Sequence, residues 1–253
     1  MGSMTIQKGL YNSYSHLSSG KRINSAADDA SGLAIAKKMQ REETGLSVGA
    51  QNAQAGIGVL NVADGALGGV TDYLQRIREL ALRSMNGLSS ASDKEIYQNE
   101  INQLKEGIQS LAKDTSLNEQ KLLDGSMADM GLATNPNGGG MKIQMVNSTL
   151  EALGIADFDV TSDNFSLDAI DNAMKIVSSQ RSNLGASTNR LEYTYNYNTS
   201  AALEQLSSRS RLEDLDVAKA VSEKQKNDLL FEYSIMMQKK KEEQDGLVTR
   251  IFQ

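Results

Sequence analysis

Apolar residues recur every seven positions along two long stretches of the chain. The first series is Leu60, Leu67, Leu74, Ala81 and Leu88, interleaved with Ala63, Val70, Ile77 and Ser84. The second series is Ile170, Val177, Leu184 and Leu191. This repeat is the a/d seam of a coiled coil, and over about 40 residues it gives a helix about 60 Å long. The pattern therefore predicts a mainly α fold, a long antiparallel helical coiled-coil or bundle rod.

Two breaks interrupt these helical patterns. Residues 86–92 are rich in Asn, Gly and Ser and predict a helix end, with Asp93 as the N-cap of the next helix. The only proline, Pro136, lies in a Gly/Asn-rich loop that divides the chain into two halves. Residues 141–146 alternate loosely between apolar and polar and predict one arm of a small β-hairpin.

Composition excludes several classes of protein. The net charge of −6 argues against a nucleic-acid surface, which needs a basic face. The absence of cysteine excludes thiol enzymes and disulfide-stapled domains. The sequence has no run of about 20 apolar residues, so no membrane-spanning helix is predicted. The first residues lack the pattern of a cleavable signal peptide.

The chain is poor in catalytic side chains. His16 is its only histidine, so a zinc site or a catalytic triad is not expected. The pairs Asp28-Asp29 and Asp214/Asp216 could serve acid–base chemistry or calcium, but capping of helices is the commoner role of such pairs. The lysines of 239–241 precede two glutamates, as on a solvated helical face. We therefore predict no enzyme, no metal and no cofactor.

The last 38 residues, from Asp216 onward, form an amphipathic pattern. Its apolar side has two interpretations, a face packed in the core or a face that seeks a partner chain. The residues of this apolar side are Leu229, Leu230, Tyr233, Met236 and Met237.

Several blocks of sequence resemble bacterial flagellins, in the order in which that family carries them. They are residues 17–36 (LSSGKRINSAADDASGLAIA), 52–57 (NAQAGI), 74–81 (LQRIRELA), 118–125 (NEQKLLDG), 177–186 (VSSQRSNLGA), 189–192 (NRLE) and 210–219 (SRLEDLDVAK). Together they span about four fifths of the chain. Residues 118–125 fit the end of the family's second helix.

The resemblance implies a structural subunit that self-assembles into the extracellular flagellar filament for motility. Residues 1–30 with 214–253 would form inner-core terminal helices, and 31–213 an outer-core helical domain with a short loop and hairpin region around 126–165. Large variable outer domains are absent, and the N-terminus is shorter than in typical members. The family is exported unfolded through the type III channel, and an export chaperone and cap or junction proteins are implied partners.

Particular residues carry these expectations. Apolar stripes that a monomer cannot bury would pair with neighbouring copies in a non-closing, helical contact. The residues expected to do so are Leu10, Leu17, Ile23, Val217, Val221, Leu229, Leu230 and Met236. Some flagellins are detected by a Toll-like receptor, and that contact surface maps onto Arg76, Leu80 and Glu100 as a charged rim around an apolar anchor. Subunit packing alone is the other interpretation of these three residues.

Two further functions stay open. A hook–filament junction protein shares the terminal helices, although that family tends to carry Asp-Asp-Pro where this chain has Asp28-Asp29-Ala30. A secreted, non-assembling flagellin-like signalling protein would bind a receptor without building filaments. An enzyme comes third, because the chain has neither room for an inserted catalytic domain nor zinc ligands.

Overall fold

A computed structural model of the protein describes residues 2–162 and 165–251, with side chains described for residue 9, 11–162 and 165–244. Within these residues the chain forms five helices and four short strands. The helices are α1 (Gly2–Ser19), α2 (Ala30–Ser84), α3 (Ala91–Asp114), α4 (Asp168–Glu213) and α5 (Val217–Ile251). The strands are β1 (Ser116–Leu117), β2 (Gln120–Lys121), β3 (Asp129–Ala133) and β4 (Gly140–Gln144). The predicted mainly α fold with a small hairpin region is confirmed.

Two compact units are distinguished by their internal contacts. Met1–Glu43 with Ala202–Gln253 form one, which we call the terminal unit, and Thr44–Ala201 form the other, the middle unit. These limits describe contacts within one chain. The division predicted from the sequence, 1–30 with 214–253 against 31–213, concerns roles in assembly and stays a prediction.

The middle unit is built on the seven-residue repeats. Nearly every repeat position of α2 and α4 is fully buried in one apolar core, to which Ile101 and Ile108 of α3 add. The ion pairs Arg78–Asp171 at 2.7 Å and Arg181–Asp64 at 2.8 Å flank this seam and show that α2 and α4 run antiparallel. Each half-exposed pair contributes only about 0–1 kcal/mol, so the buried seam provides most of the stability.

The end of α2 departs from the prediction at one repeat position. Leu88, predicted to continue the seam, lies beyond the last residue of α2 and is 91% exposed. Ser84 is the last buried position of the repeat, and its hydroxyl donates to the carbonyl oxygen of Val160 at 3.2 Å. The N-cap of α3 is Ser90, while Asp93 completes a capping box from the N3 position.

A two-residue hairpin follows α3, where the sequence predicted the end of a helix. Helix α3 ends at Asp114, and β1 pairs with β2 in antiparallel register across Asn118 and Glu119. Both turn residues have positive φ, 49° and 65°, as a type I′ turn requires. Residues 118–125 therefore belong to a turn and the segment after it, because the chain reverses before another helical turn can form.

The second hairpin, β3–β4, confirms the predicted strand at 141–146. Its end is held by two amide side chains of the middle unit. Asn198 donates to the carbonyl oxygen of Thr134 at 2.7 Å, and Asn52 donates to that of Ala133 at 2.8 Å. A Cβ at Gly49 would collide with the Thr134 carbonyl, so only glycine allows this close approach.

Candidate functional site

The terminal unit pairs α1 with α5 in antiparallel fashion. On α5, Lys224, Asn227, Phe231 and Ser234 are half-buried and recur every three or four residues, as one helical face does. The Lys224 ammonium lies 4.7 Å from the centre of the Tyr14 ring, and Asn227 donates to the Ser13 hydroxyl at 3.4 Å. The face of α5 that packs on α1 is therefore largely polar.

An apolar face lies on the other side of α5. Because successive helical residues are about 100° apart, Leu229 is about 160° round the helix from Asn227. Several large apolar residues lie on the same side of the helix as Leu229, interspersed with polar ones such as Ser222 and Lys226, and each of the apolar ones is exposed. We call this set the outer face of α5: Leu229, Leu230, Tyr233, Met236 and Met237. The described part of the chain places nothing over it that would bury it.

The residues predicted to drive assembly differ in their exposure. Five are exposed on α5: Val217, Val221, Leu229, Leu230 and Met236. Leu17 is half-buried near the end of α1. Ile23 is 3% exposed, and a Cβ on Gly32 would approach its Cδ1 to 2.7 Å, so Ile23 packs within its own chain. The side chain of Leu10 lies outside the described residues.

The connections beside these helices are clamped to each other. The backbone N–H of Arg22 donates to the carbonyl oxygen of Glu213 at 2.6 Å, and that of Leu215 donates to Gly20 at 3.0 Å. The buried carboxylate of Glu213 lies 3.2 Å from the Lys21 ammonium, so its charge is compensated. Gly20 has a φ of 67°, which allows α1 to end and the chain to turn.

The block at 17–36 organises the segment between α1 and α2. One Asp28 carboxylate oxygen accepts from the backbone N–H groups of Asn24 and Ser25 and from the Ser25 hydroxyl. These bonds, led by the backbone bond from Ser25, lower the pKa of Asp28 below its ordinary value, because they stabilise the charged form. Asp29 accepts from the N–H of Gly32 at 2.8 Å and caps α2. Asp29 thus caps a helix, whereas Asp28 stabilises the turn that precedes it.

A charged network joins α2 to α3 in the middle unit. The Arg76 guanidinium lies 2.7 Å from Glu100 and 3.1 Å from Glu79. Hydrogen bonding to Glu100, then to Glu79, raises the pKa of Arg76 further above its ordinary value. All three side chains are at least 40% exposed, so the network is open to a binding partner.

The apolar centre of that predicted receptor surface is not where the sequence placed it. Leu80 is 1% exposed and belongs to the core of the middle unit, because it lies beside the Ile77–Ala81 seam positions. The exposed apolar residues nearby in sequence are different ones, which we call the turn patch: Leu82, Met85, Leu88 and Ile96. The receptor prediction is left with Arg76 and Glu100 as its surface groups.

Side chains suited to catalysis are not gathered into a site in the described residues. The Nδ1 atom of His16 lies 3.0 Å from the Lys21 carbonyl oxygen, which can only accept, and its Nε2 atom lies 3.8 Å from the Asp28 carboxylate, within the clamped connection. No group of three or more His, Asp or Glu side chains is arranged to hold a metal ion in the part of the chain that the structure describes. Of the helices searched there, none has the length and apolarity needed to cross a bilayer.

A buried helical core, a clamp between residues 20–22 and 213–215, and an uncovered apolar face on α5 are typical of self-associating structural subunits. Comparison with known sequences identifies its family. Residues 3–128 match the family model described as the bacterial flagellin N-terminal helical region, and 167–249 match the C-terminal helical region. The chain belongs to the bacterial flagellin family, whose members are structural, non-enzymatic subunits of the extracellular flagellar filament.

Individual relatives agree with this assignment. A flagellin from Halalkalibacterium halodurans is 38% identical over 87% of this chain and 84% of its own length. A flagellar filament 33 kDa core protein from Treponema phagedenis is 35% identical over 92% of this chain and 87% of its own.

Solved structures show the fold. Bacillus cereus flagellin superposes with a TM-score of 0.53 at 24% identity, covering 58% of this chain and 88% of that one. A provisionally named flagellar hook-associated protein from Vibrio parahaemolyticus gives 0.61 at 18% identity, covering 74% of this chain and 100% of that one. At such identities the fold alone is shared. The assignment as a filament subunit, and not as a junction protein, therefore rests on the family models and the curated relatives.

Proposed function

We propose that the outer face of α5 is a contact through which copies of this chain join into a filament. The supporting observation is that the face of α5 on α1 is largely polar, whereas all the described large apolar side chains of α5 other than Phe231 are exposed. Full burial of such a side chain contributes about 1.5–3 kcal/mol, and these side chains, already partly covered, contribute less than that before the entropy of association is subtracted. A contact that joins different patches of two copies, with a rotation that does not close a ring, extends into a helical polymer.

The remaining assignments of the terminal segments belong to the same proposal. Residues 1–30 with 214–253 act as inner-core helices, and Leu10, Leu17, Val217 and Val221 add to the contact. Export chaperone, cap and junction proteins are the further partners that the family suggests. Ile23 acts indirectly, by fixing the segment that carries α1.

Polymerisation of purified protein tests the proposal. Seeded or salt-induced monomer is expected to give thin, uniform filaments by negative-stain electron microscopy. Leu229→Asp, which puts a charge on the outer face, is expected to abolish them, whereas Leu229→Met keeps the apolar area and should polymerise like wild type. Far-ultraviolet circular dichroism confirms that both variants are folded. Filaments of Leu229→Asp at wild-type yield would overturn this use of α5.

A second candidate function is recognition by the flagellin-sensing Toll-like receptor. We propose it on one observation, the exposed Arg76–Glu100–Glu79 network next in sequence to the turn patch. Arg76→Ala and Glu100→Ala should weaken capture of monomer by the receptor ectodomain without changing filament yield. Failure of intact, folded wild-type monomer to bind the ectodomain would end this candidate.

A further inference from the structure

Three methionines are exposed among the described residues. Met85 is 56% exposed, Met236 63% and Met237 50%. The other methionines with described side chains are half-buried, or buried in the case of Met145 at 8%. Two of the three exposed thioethers are consecutive and lie on the outer face of α5. Sulfur chemistry is therefore concentrated at the surface proposed to join copies of the chain.

We propose that Met236 and Met237 are oxidation sites through which a peroxide oxidant switches off association at the outer face of α5. The inference rests on the proposed function. In the reaction a thioether sulfur lone pair attacks one peroxide oxygen, an S–O bond forms and the O–O bond breaks. The second oxygen leaves as hydroxide and takes up the proton that the sulfur-bound OH group releases, so the products are a sulfoxide and water, with the sulfur oxidised and the peroxide reduced.

The two oxidation states differ in the property that the contact requires. A thioether is apolar and adaptable, and it packs well against leucine and aromatic side chains such as Leu229 and Tyr233. A sulfoxide is a strong hydrogen-bond acceptor, and its burial without a donor is unfavourable. The leucines of the outer face, Leu229 and Leu230, have no hydrogen-bond donor to offer a sulfoxide. An increase of about tenfold or more in the critical concentration for polymerisation is therefore expected.

The folded monomer itself should tolerate the reaction. Both side chains are at least half exposed, and Met236 lies on the side of α5 opposite the stripe that packs on α1, so oxidation removes little contact within the chain. Far-ultraviolet circular dichroism and the urea midpoint should stay close to those of untreated protein. A loss of assembly would then report the contact between copies and not unfolding.

The experiment treats purified monomer with hydrogen peroxide and maps sulfoxides by peptide mass spectrometry. Met236 and Met237 should oxidise well before Met145, and polymerisation after seeding should be lost.

M236L/M237L, which keeps the apolar area, should polymerise and resist the oxidant. M236Q/M237Q, which mimics the polar state, should fail to polymerise without oxidant. M85L is the matched control and should remain as sensitive as wild type. Methionine sulfoxide reductases should restore assembly of the treated wild type.

Each outcome decides a different statement. Untreated wild type that never polymerises rejects the proposed function, and the switch with it, while the mass map still decides whether these two residues are preferred oxidation sites. Normal polymerisation of protein carrying both sulfoxides overturns the inference and leaves the proposed function intact. Equal peroxide sensitivity in M236L/M237L assigns the effect to other residues and also overturns it.

Discussion

The α2–α4 seam and the α1–α5 pair are both antiparallel, but they use their apolar residues in opposite ways. In the seam, the recurring positions are leucine, isoleucine, valine and alanine, and they are buried within the chain. Along α1–α5 the recurring half-buried positions of α5 include a lysine, an asparagine and a serine, and the apolar side chains face outward. The seam therefore stabilises the monomer, whereas the terminal pair keeps apolar area for other copies.

The sharpest test of this comparison exchanges one leucine in each region for alanine. Leu67→Ala removes a fully buried side chain of the seam and should lower the free energy of unfolding by about 2–5 kcal/mol. Leu229→Ala, at a 67% exposed position, should change it by less than about 0.5 kcal/mol. Urea titrations followed by circular dichroism measure both values. Similar losses of unfolding free energy at the two sites would contradict the distinction between the buried α2–α4 seam and the exposed apolar face of α5.

A smaller effect is expected where the middle unit is held by a polar contact. Asn198→Ala leaves the buried Thr134 carbonyl oxygen without its donor at 2.7 Å. Loss of one buried hydrogen-bond partner should lower the free energy of unfolding by about 1–3 kcal/mol. Asn52→Ala, which removes an exposed donor to the neighbouring Ala133, is the matched control and should lose less. An equal loss in both variants would contradict the importance of burial.

The start of α3 offers an effect of about 1 kcal/mol. Ser90→Ala removes the acceptor of the Asp93 N–H and half of the capping box. Ser90→Asp keeps an acceptor at the same position and should restore most of the stability. Thermal melts of the three proteins measure the difference. A melt of Ser90→Ala that coincides with wild type would show that the first turn of α3 does not need its cap.

The smallest effect concerns pH in the terminal unit. Since the pKa of Asp28 is lowered in the folded chain, its contribution exists above the unfolded pKa and is lost as pH falls through the folded value. Asp28→Asn should therefore be less stable than wild type at pH 7, and the difference should shrink between about pH 5 and pH 2. Melting temperatures of both proteins along that series measure it, and carboxylates common to both cancel. A constant or growing gap would contradict the role of Asp28.

The sequence was sufficient for the parts of the fold that depend on periodicity. The repeats of α2 and α4 predict the buried seam because a strict seven-residue spacing keeps one stripe on one side of a helix. Leu88 was wrongly included in the seam because the seven-residue spacing alone does not show that α2 ends at Ser84. The β1–β2 turn was missed because its positive φ angles fall on Asn118 and Glu119, with no glycine to signal them.

The candidate site was predictable in part. The helical spacing of apolar residues predicted the apolar side of α5. Whether that side is exposed depends on which face of α5 packs on α1, and the face that does so is the polar one. Leu80 was placed on the surface by resemblance to the receptor-contacting surface, although it adjoins Ile77 and Ala81. Ile77, Leu80 and Ala81 form an apolar stripe wider than a strict a/d seam, and this width was the sequence signal that Leu80 is buried. Ile23 likewise has a partner, Gly32, that its own spacing does not reveal.

The clamp between Arg22 and the end of α4 has a consequence for the order of folding. Arg22 donates to the Leu212 carbonyl oxygen across 190 positions of sequence, at 2.7 Å. Closing a loop of that length costs entropy that grows with the logarithm of its length, and it cannot begin until both ends exist. At about 5–20 residues per second, synthesis separates the two by a time on the order of 10–40 s. The earliest part of the chain to be made is therefore the part that waits longest for its partner.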